Sequence, residues 1–124
     1  MKRTDIIQSL IDKTGAETYL EIGVSAGENF RDIRCTNKVG VDPELSTPAT
    51  IHTDSDSFFK TNKRTWDIIF IDGLHHADQV YRDINNSLAS LSEKGYIVCH
   101  DMNPQLEQHQ TIPYQGGIWN GDCW

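Results

Sequence analysis

Between Thr4 and Lys13 the apolar residues fall at Ile6, Ile7, Leu10 and Ile11, a spacing that predicts an amphipathic helix with Thr4 as its N-cap and Gly15 as its stop. Thr18 to Ile22 reads as a short buried strand ending at Gly23. A helix is expected over 26–33, then a second strand from Lys38 to Asp42, closed by Pro43. Thr50 to Thr53 reads as a weaker third strand, and 55–60 as a short helix or turn. Trp66 to Asp72 is the strongest strand, its continuous apolar run suiting a parallel strand covered on both faces. Val80, Ile84, Leu88 and Leu91 then step at helical spacing, and Gly95 to His100 forms the next strand. Strands alternating with helices predict right-handed crossovers and a parallel α/β sheet. The expectation is one domain over 1–124, with 102–124 as a loop or tail where the periodicity stops.

Charge and composition narrow the partners. The formal net charge of −7 argues against a nucleic-acid backbone or an anionic membrane, both of which attract basic surfaces. No apolar run approaches the roughly 20 residues of a membrane span, and the N-terminus lacks a signal-peptide core. Cys35, Cys99 and Cys123 form no CxxC pair, and an odd number of thiols without a secretion signal points to a reducing, cytoplasmic setting.

The turn after the first strand carries the chemistry. Glu21-Ile22-Gly23-Val24-Ser25-Ala26-Gly27 admits three readings. Gly23-Val24-Ser25-Ala26-Gly27 fits the nucleophile elbow G-x-S-x-G, but no earlier strand and loop precede it to donate an oxyanion-hole amide. A dinucleotide loop wants G-x-G-x-x-G, whereas Ser25 replaces the second glycine and Glu28 would oppose a diphosphate. The third reading fits best: a small-residue loop that wraps a nucleoside with a zwitterionic tail. Asp42 falls about 20 positions after Gly23, where an acid can hold both ribose hydroxyls. Glu21 would act near the amino-acid end through water or a loop amide. Asp42 is also an ordinary turn residue before Pro43.

Tyr19 to Gly27, Val39-Gly40-Val41-Asp42-Pro43, and Asp67-Ile68-Ile69-Phe70-Ile71-Asp72-Gly73-Leu74-His75-His76 together resemble the class I S-adenosylmethionine-dependent methyltransferases. The branch they most resemble is the small O-methyltransferases with an IDG-x-H fourth strand, and the resemblance runs from about Thr18 to Asp101. It implies a Rossmann-like, doubly wound parallel sheet with S-adenosylmethionine across the C-terminal ends of its first strands. Glu21, Gly23, Ser25, Gly27, Asp42, Asp54 and Asp72 are the candidate cofactor-binding residues. The family normally adds a helix and an antiparallel strand pair after the fifth strand. This sequence stops where that helix would begin, so about five strands are expected, without that pair. The alternative to an enzyme is a truncated module that binds S-adenosylmethionine or S-adenosylhomocysteine without catalysis.

A second cluster gathers at the next strand ends. Asp72 and His100-Asp101 are set side by side by adjacent parallel strands, and carboxylates converging there can hold a hard divalent cation such as Mg²⁺. His75 would then remove a hydroxyl proton from the acceptor. Resemblance to metal-dependent sugar O-methyltransferases implies the same roles: Asp72 and Asp101 as ligands, His75 as base, and His100 where an acid usually stands. The bland alternative has His75 and His76 capping the following helix and Asp101 capping a turn before Pro104. Asp54 likewise reads as a helix N-cap or an adenine contact. The implied acceptor is a small-molecule or sugar hydroxyl, and Trp119 and Trp124, with an unprotected fifth strand, imply a homodimer.

Overall fold

The computed structural model describes residues 2–72 and 77–100. In chain order the elements are α1 (Arg3–Thr14), β1 (Thr18–Ile22), α2 (Glu28–Asp32), β2 (Asn37–Val41), α3 (Ser55–Thr61), β3 (Trp66–Ile71), α4 (Ala77–Ala89) and β4 (Leu91–Cys99). The four strands are all parallel, in the spatial order β2-β1-β3-β4. This is the expected α/β, Rossmann-like sheet, and among the described residues it has no antiparallel strand.

Apolar side chains on both faces of the central strands explain the three layers. Tyr19, Ile68 and Phe70 pack with Ile7, Ile11, Phe30 and Ile33 from α1, α2 and the turn beyond α2. Leu20, Ile22, Ile69 and Ile71 face the other way, toward Phe58 of α3 and Ile84 of α4. A strand buried on both sides needs no polar alternation, which is why β1 and β3 read as unbroken apolar runs.

Four expectations shift. The strand expected at Thr50–Thr53 is a single bridge between Val41 and Ile51, so the described sheet has four strands and that bridge. Thr4 lies inside α1 and does not cap it; its hydroxyl donates to Asn29 Oδ1 at 2.7 Å, tying α1 to α2. Leu91 does not end α4 but opens β4 opposite Trp66. An irregularity follows between Trp66 and Ile68, where Ser92 Oγ donates to Asp67 Oδ1 at 2.7 Å. The buried face of α4 also differs from the apolar spacing: Val80, Asp83 and Ser87 are buried, while Leu88 is 57% exposed. Among the described residues no helix is long and apolar enough to cross a membrane.

Candidate functional site

Three residues with positive φ wind the turn after β1: Gly23 at 87°, Ser25 at 53° and Gly27 at 84°. Two are glycines, for which this conformation carries no Cβ penalty. Ser25 is not, and it is held in place by Asp42, whose Oδ2 accepts the Ser25 N–H at 2.9 Å. Asp42 Oδ1 accepts the Glu44 N–H at 2.9 Å, so the carboxylate is fixed from both sides. Each carboxylate oxygen keeps further acceptor capacity, because an ionised carboxyl offers about four lone-pair sites. Asp42 is therefore both a turn residue before Pro43 and a rigidly oriented acceptor.

Beside that turn lies a cavity of about 430 Å³, lined by Gly23, Ser25, Asp42, Asp54, Asp72 and Asp83 among others. The chain runs from β1 outward to β2, then crosses back to β3 on the other side. The cavity thus sits at the C-terminal ends of strands where the winding reverses, the position at which open α/β sheets bind ligands. Its volume is in the range of small-molecule and cofactor sites.

Asp54 at the cavity rim is the N-cap of α3, accepting the Ser57 N–H at 2.7 Å and the Ser57 hydroxyl at 2.9 Å. Those bonds hold its pKa below the usual carboxylate range. Behind the rim, Ser55 Oγ donates to Asp83 Oδ1 at 2.6 Å and Gln79 Nε2 donates to the same oxygen at 3.0 Å. Asp83 is 1% exposed, and burial pushes its pKa up. No sequence expectation included Asp83, Gln79 or Ser55. A signal was present: Asp83 stands three residues after Val80 and four before Ser87, on the buried stripe of α4.

Glu21 lies apart from that cavity, on the face of β1 that carries Tyr19. Its Oε2 accepts the Tyr19 hydroxyl at 2.6 Å and the Asn29 amide at 2.9 Å, and Asn29 in turn accepts Thr4. The residue is 1% exposed, and burial raises its pKa above 4.5. The same burial, with the Glu21 carboxylate alongside, pushes the Tyr19 phenol up as well. A carboxyl whose folded pKa lies above its unfolded value adds stability fully below the unfolded pKa and loses it as pH rises through the folded one. Glu21→Gln keeps one acceptor oxygen for Tyr19 and Asn29 while removing the charge. Thermal melts from pH 4 to pH 8 are expected to fall less steeply for Glu21→Gln than for the wild type. Parallel curves would mean that Glu21 is not titrating within the fold.

The third group stands at the ends of β3 and β4. Arg3 Nη1 donates to Asp72 Oδ2 at 3.1 Å, and its guanidinium lies 6.0 Å from the Phe70 ring centroid. His100 Nδ1 is 3.1 Å from Asp72 Oδ1, while its Nε2 faces Arg3 Nη1 at 3.4 Å. A proton on Nδ1 and a lone pair on Nε2 satisfy both contacts. Asp72 and His100 are thus brought together as expected, but with a guanidinium that the sequence did not announce. His75 and Asp101 lie outside the described residues. Among the described residues no three His, Cys, Asp or Glu side chains group as a cation site requires, and Arg3 already neutralises Asp72. The described part of the expected set, Asp72 and His100, does not by itself make a cation site.

The residues do fit a nucleoside cofactor: a glycine-wound loop, a fixed acid at the end of β2, and a cavity at the reversal of the sheet. Comparison with known proteins agrees. A family model described as a methyltransferase domain matches residues 34–102. The crystal structure of an O-methyltransferase from Bacillus cereus in complex with SAH has a similar fold, with a TM-score of 0.63 at 16% identity. The alignment covers 78% of this chain and 55% of that one, so this chain spans about half the length of that structure. No curated protein matches. The chain belongs to the methyltransferase domain family and has its class I fold.

Proposed function

We propose that the chain binds S-adenosylmethionine in the cavity between Asp42 and Asp83 and transfers its methyl group to a hydroxyl of a small molecule or sugar. The observation that carries the reading is Asp42: a carboxylate at the end of β2, oriented by the Ser25 and Glu44 amides, beside a loop of three left-handed residues. Such an acid suits the two hydroxyls of a ribose. S-adenosylhomocysteine in the Bacillus cereus O-methyltransferase supports the same cofactor here.

S-adenosylmethionine supplies an activated methyl group when bound, so the chain's own residues have mainly to bind, align and manage one proton. Gly23, Ser25 and Gly27 shape the loop, Asp42 takes the ribose, and Asp54 holds the start of α3 at the cavity rim. Glu21 is buried on the Tyr19 face of β1, outside this cavity, so its part at the amino-acid end of the ligand is indirect, through water or a loop amide. Asp72, fixed by Arg3 and His100, borders the cavity at the β3 end, and His75 follows three residues later as the proposed base.

The test is transfer itself. Protein incubated with methyl-labelled S-adenosylmethionine and a panel of catechols, sugars and other small alcohols is expected to label at least one hydroxyl. Binding of the cofactor without labelling of any acceptor would favour the binding module over the enzyme. A homodimer is proposed as the assembly, through the outer edge of β4, which pairs only with β3 among the described residues and carries Tyr96 at 48% exposure. Light scattering is expected to give twice the chain mass, and a monomer at high concentration would contradict it.

A further inference from the structure

Four aspartates line the cavity, and their hydrogen bonds separate them. Asp42 accepts one backbone amide on each oxygen. Asp54 gives one oxygen to the Ser57 amide and the other to the Ser57 hydroxyl. Asp72 gives one to Arg3 and one to His100. Asp83 differs. Both of its donors, Ser55 Oγ and Gln79 Nε2, converge on Oδ1, and among the described residues Oδ2 accepts nothing.

Oδ2 is not sealed from water, since among the described residues the buried side-chain oxygen without a partner is Ser87 Oγ. In a residue only 1% exposed that leaves Oδ2 a narrow opening, and a bound ligand that displaces water there must supply a donor or leave the carboxylate oxygen unpaired. The side chain cannot rotate freely to turn Oδ2 away. Ser55 and Gln79 hold Oδ1, and Gln79 is itself held by Arg82 Nη2, which donates to Gln79 Oε1 at 2.7 Å. The free oxygen belongs to a residue of the cavity wall, on the α3–α4 side, while Asp42 lies at the β2 end of the same cavity.

We infer that Asp83 is the residue that reads the base of the bound nucleoside, its Oδ2 accepting a hydrogen from the exocyclic amino group of adenine. This rests on the cofactor reading above and adds to it the group that sets base specificity. A ligand donor at Oδ2 completes the hydrogen bonding of a buried carboxylate. A base with a carbonyl oxygen in place of that amine would set acceptor against acceptor and leave Asp83 uncompensated. Sites built in this way discriminate strongly, because the wrong ligand leaves the protein's own buried group unpaired. Ser55 and Gln79 do not contact the base in this account; they hold Asp83 so that Oδ2 is the oxygen left over.

Calorimetry on the full chain tests it with S-adenosylhomocysteine and S-inosylhomocysteine, which differ by that amine against a carbonyl. The wild type is expected to prefer the adenine compound by about 10-fold or more, the scale of one hydrogen bond to a charged group. Asp83→Asn, whose amide can donate, should reduce that preference to near unity or reverse it, while Asp54→Asn should preserve it. An unchanged preference in Asp83→Asn, or its loss in Asp54→Asn alone, would overturn the assignment and leave the cofactor reading standing. Should Asp83→Asn fail to fold by circular dichroism, the wild type decides with the N6,N6-dimethyl analogue. Weakening by about 10-fold or more supports the contact, and equal binding rejects it. Wild-type protein that binds neither nucleoside would remove the cofactor reading and this inference together.

Discussion

Asp42→Ala is expected to weaken S-adenosylhomocysteine binding by about 1.5–3 kcal/mol, roughly 10- to 150-fold. Two losses combine. The variant removes the acceptor for the ribose hydroxyls, and it releases the Ser25 N–H that Asp42 holds at 2.9 Å. Ser25 sits at φ 53°, a conformation that costs a non-glycine residue of order 1 kcal/mol and persists only where neighbours enforce it. Without Asp42 the loop relaxes, so the binding cost is expected mainly in affinity, with a smaller change in melting temperature. Asp42→Asn separates the contributions, since an amide oxygen can still accept the Ser25 amide while the charge is gone. Calorimetric affinities in the order wild type, Asp42→Asn, Asp42→Ala would support this division. An Asp42→Ala protein that binds as tightly as the wild type would remove Asp42 from the site.

Gly27→Ala is expected to cost about 2–4 kcal/mol of folding stability, combining a left-handed backbone penalty with overpacking. Gly27 is the N-cap of α2 at φ 84°, and a Cβ there would run into the Pro48 ring. Neither problem has an easy escape: the backbone angle is set by the loop, and the Pro48 ring is not a flexible side-chain end that can swing away. Urea denaturation should show the midpoint falling with an unchanged slope, since the loss is local and the surface exposed on unfolding is the same. Gly15→Ala makes the control. Gly15 has φ 69° but nothing within 4 Å of its Cβ position, so only the backbone penalty should appear. Equal costs at the two glycines would show that Pro48 contributes nothing.

The strands were legible where burial is two-sided. Leu20-Glu21-Ile22 and Ile68-Ile69-Phe70-Ile71 are apolar on successive residues apart from Glu21, and that exception is buried too, in the Tyr19–Asn29 network. The start of β4 was hidden because Ser92, Glu93 and Lys94 are polar and lie at an irregularity, where the pairing with β3 resumes only at Tyr96 opposite Ile68. Asp83 and Ser87 were hidden for a different reason. Apolar spacing reports the face of a helix only when the buried residues are apolar, and here a carboxylate and a hydroxyl occupy the buried stripe while Leu88 faces outward. Arg3 was hidden because its partners, Asp72 and His100, are distant in sequence and meet it only when α1 docks over the strand ends. The loop and Asp42 were readable because their chemistry is local: glycines at the positive-φ positions and an acid at a strand end.

The measurement that bears most directly on the central claim is a pair of titrations of the wild-type chain, one with S-adenosylhomocysteine and one with NAD. Both ligands carry adenosine, so the comparison isolates the loop. Glu28 in the first turn of α2 and Ser25 in place of a second glycine disfavour a diphosphate at that helix end. The account predicts saturable S-adenosylhomocysteine binding, with a Kd of about 1 μM or tighter, worth at least about 8 kcal/mol, and no NAD binding under the same conditions. NAD binding without S-adenosylhomocysteine binding would contradict it.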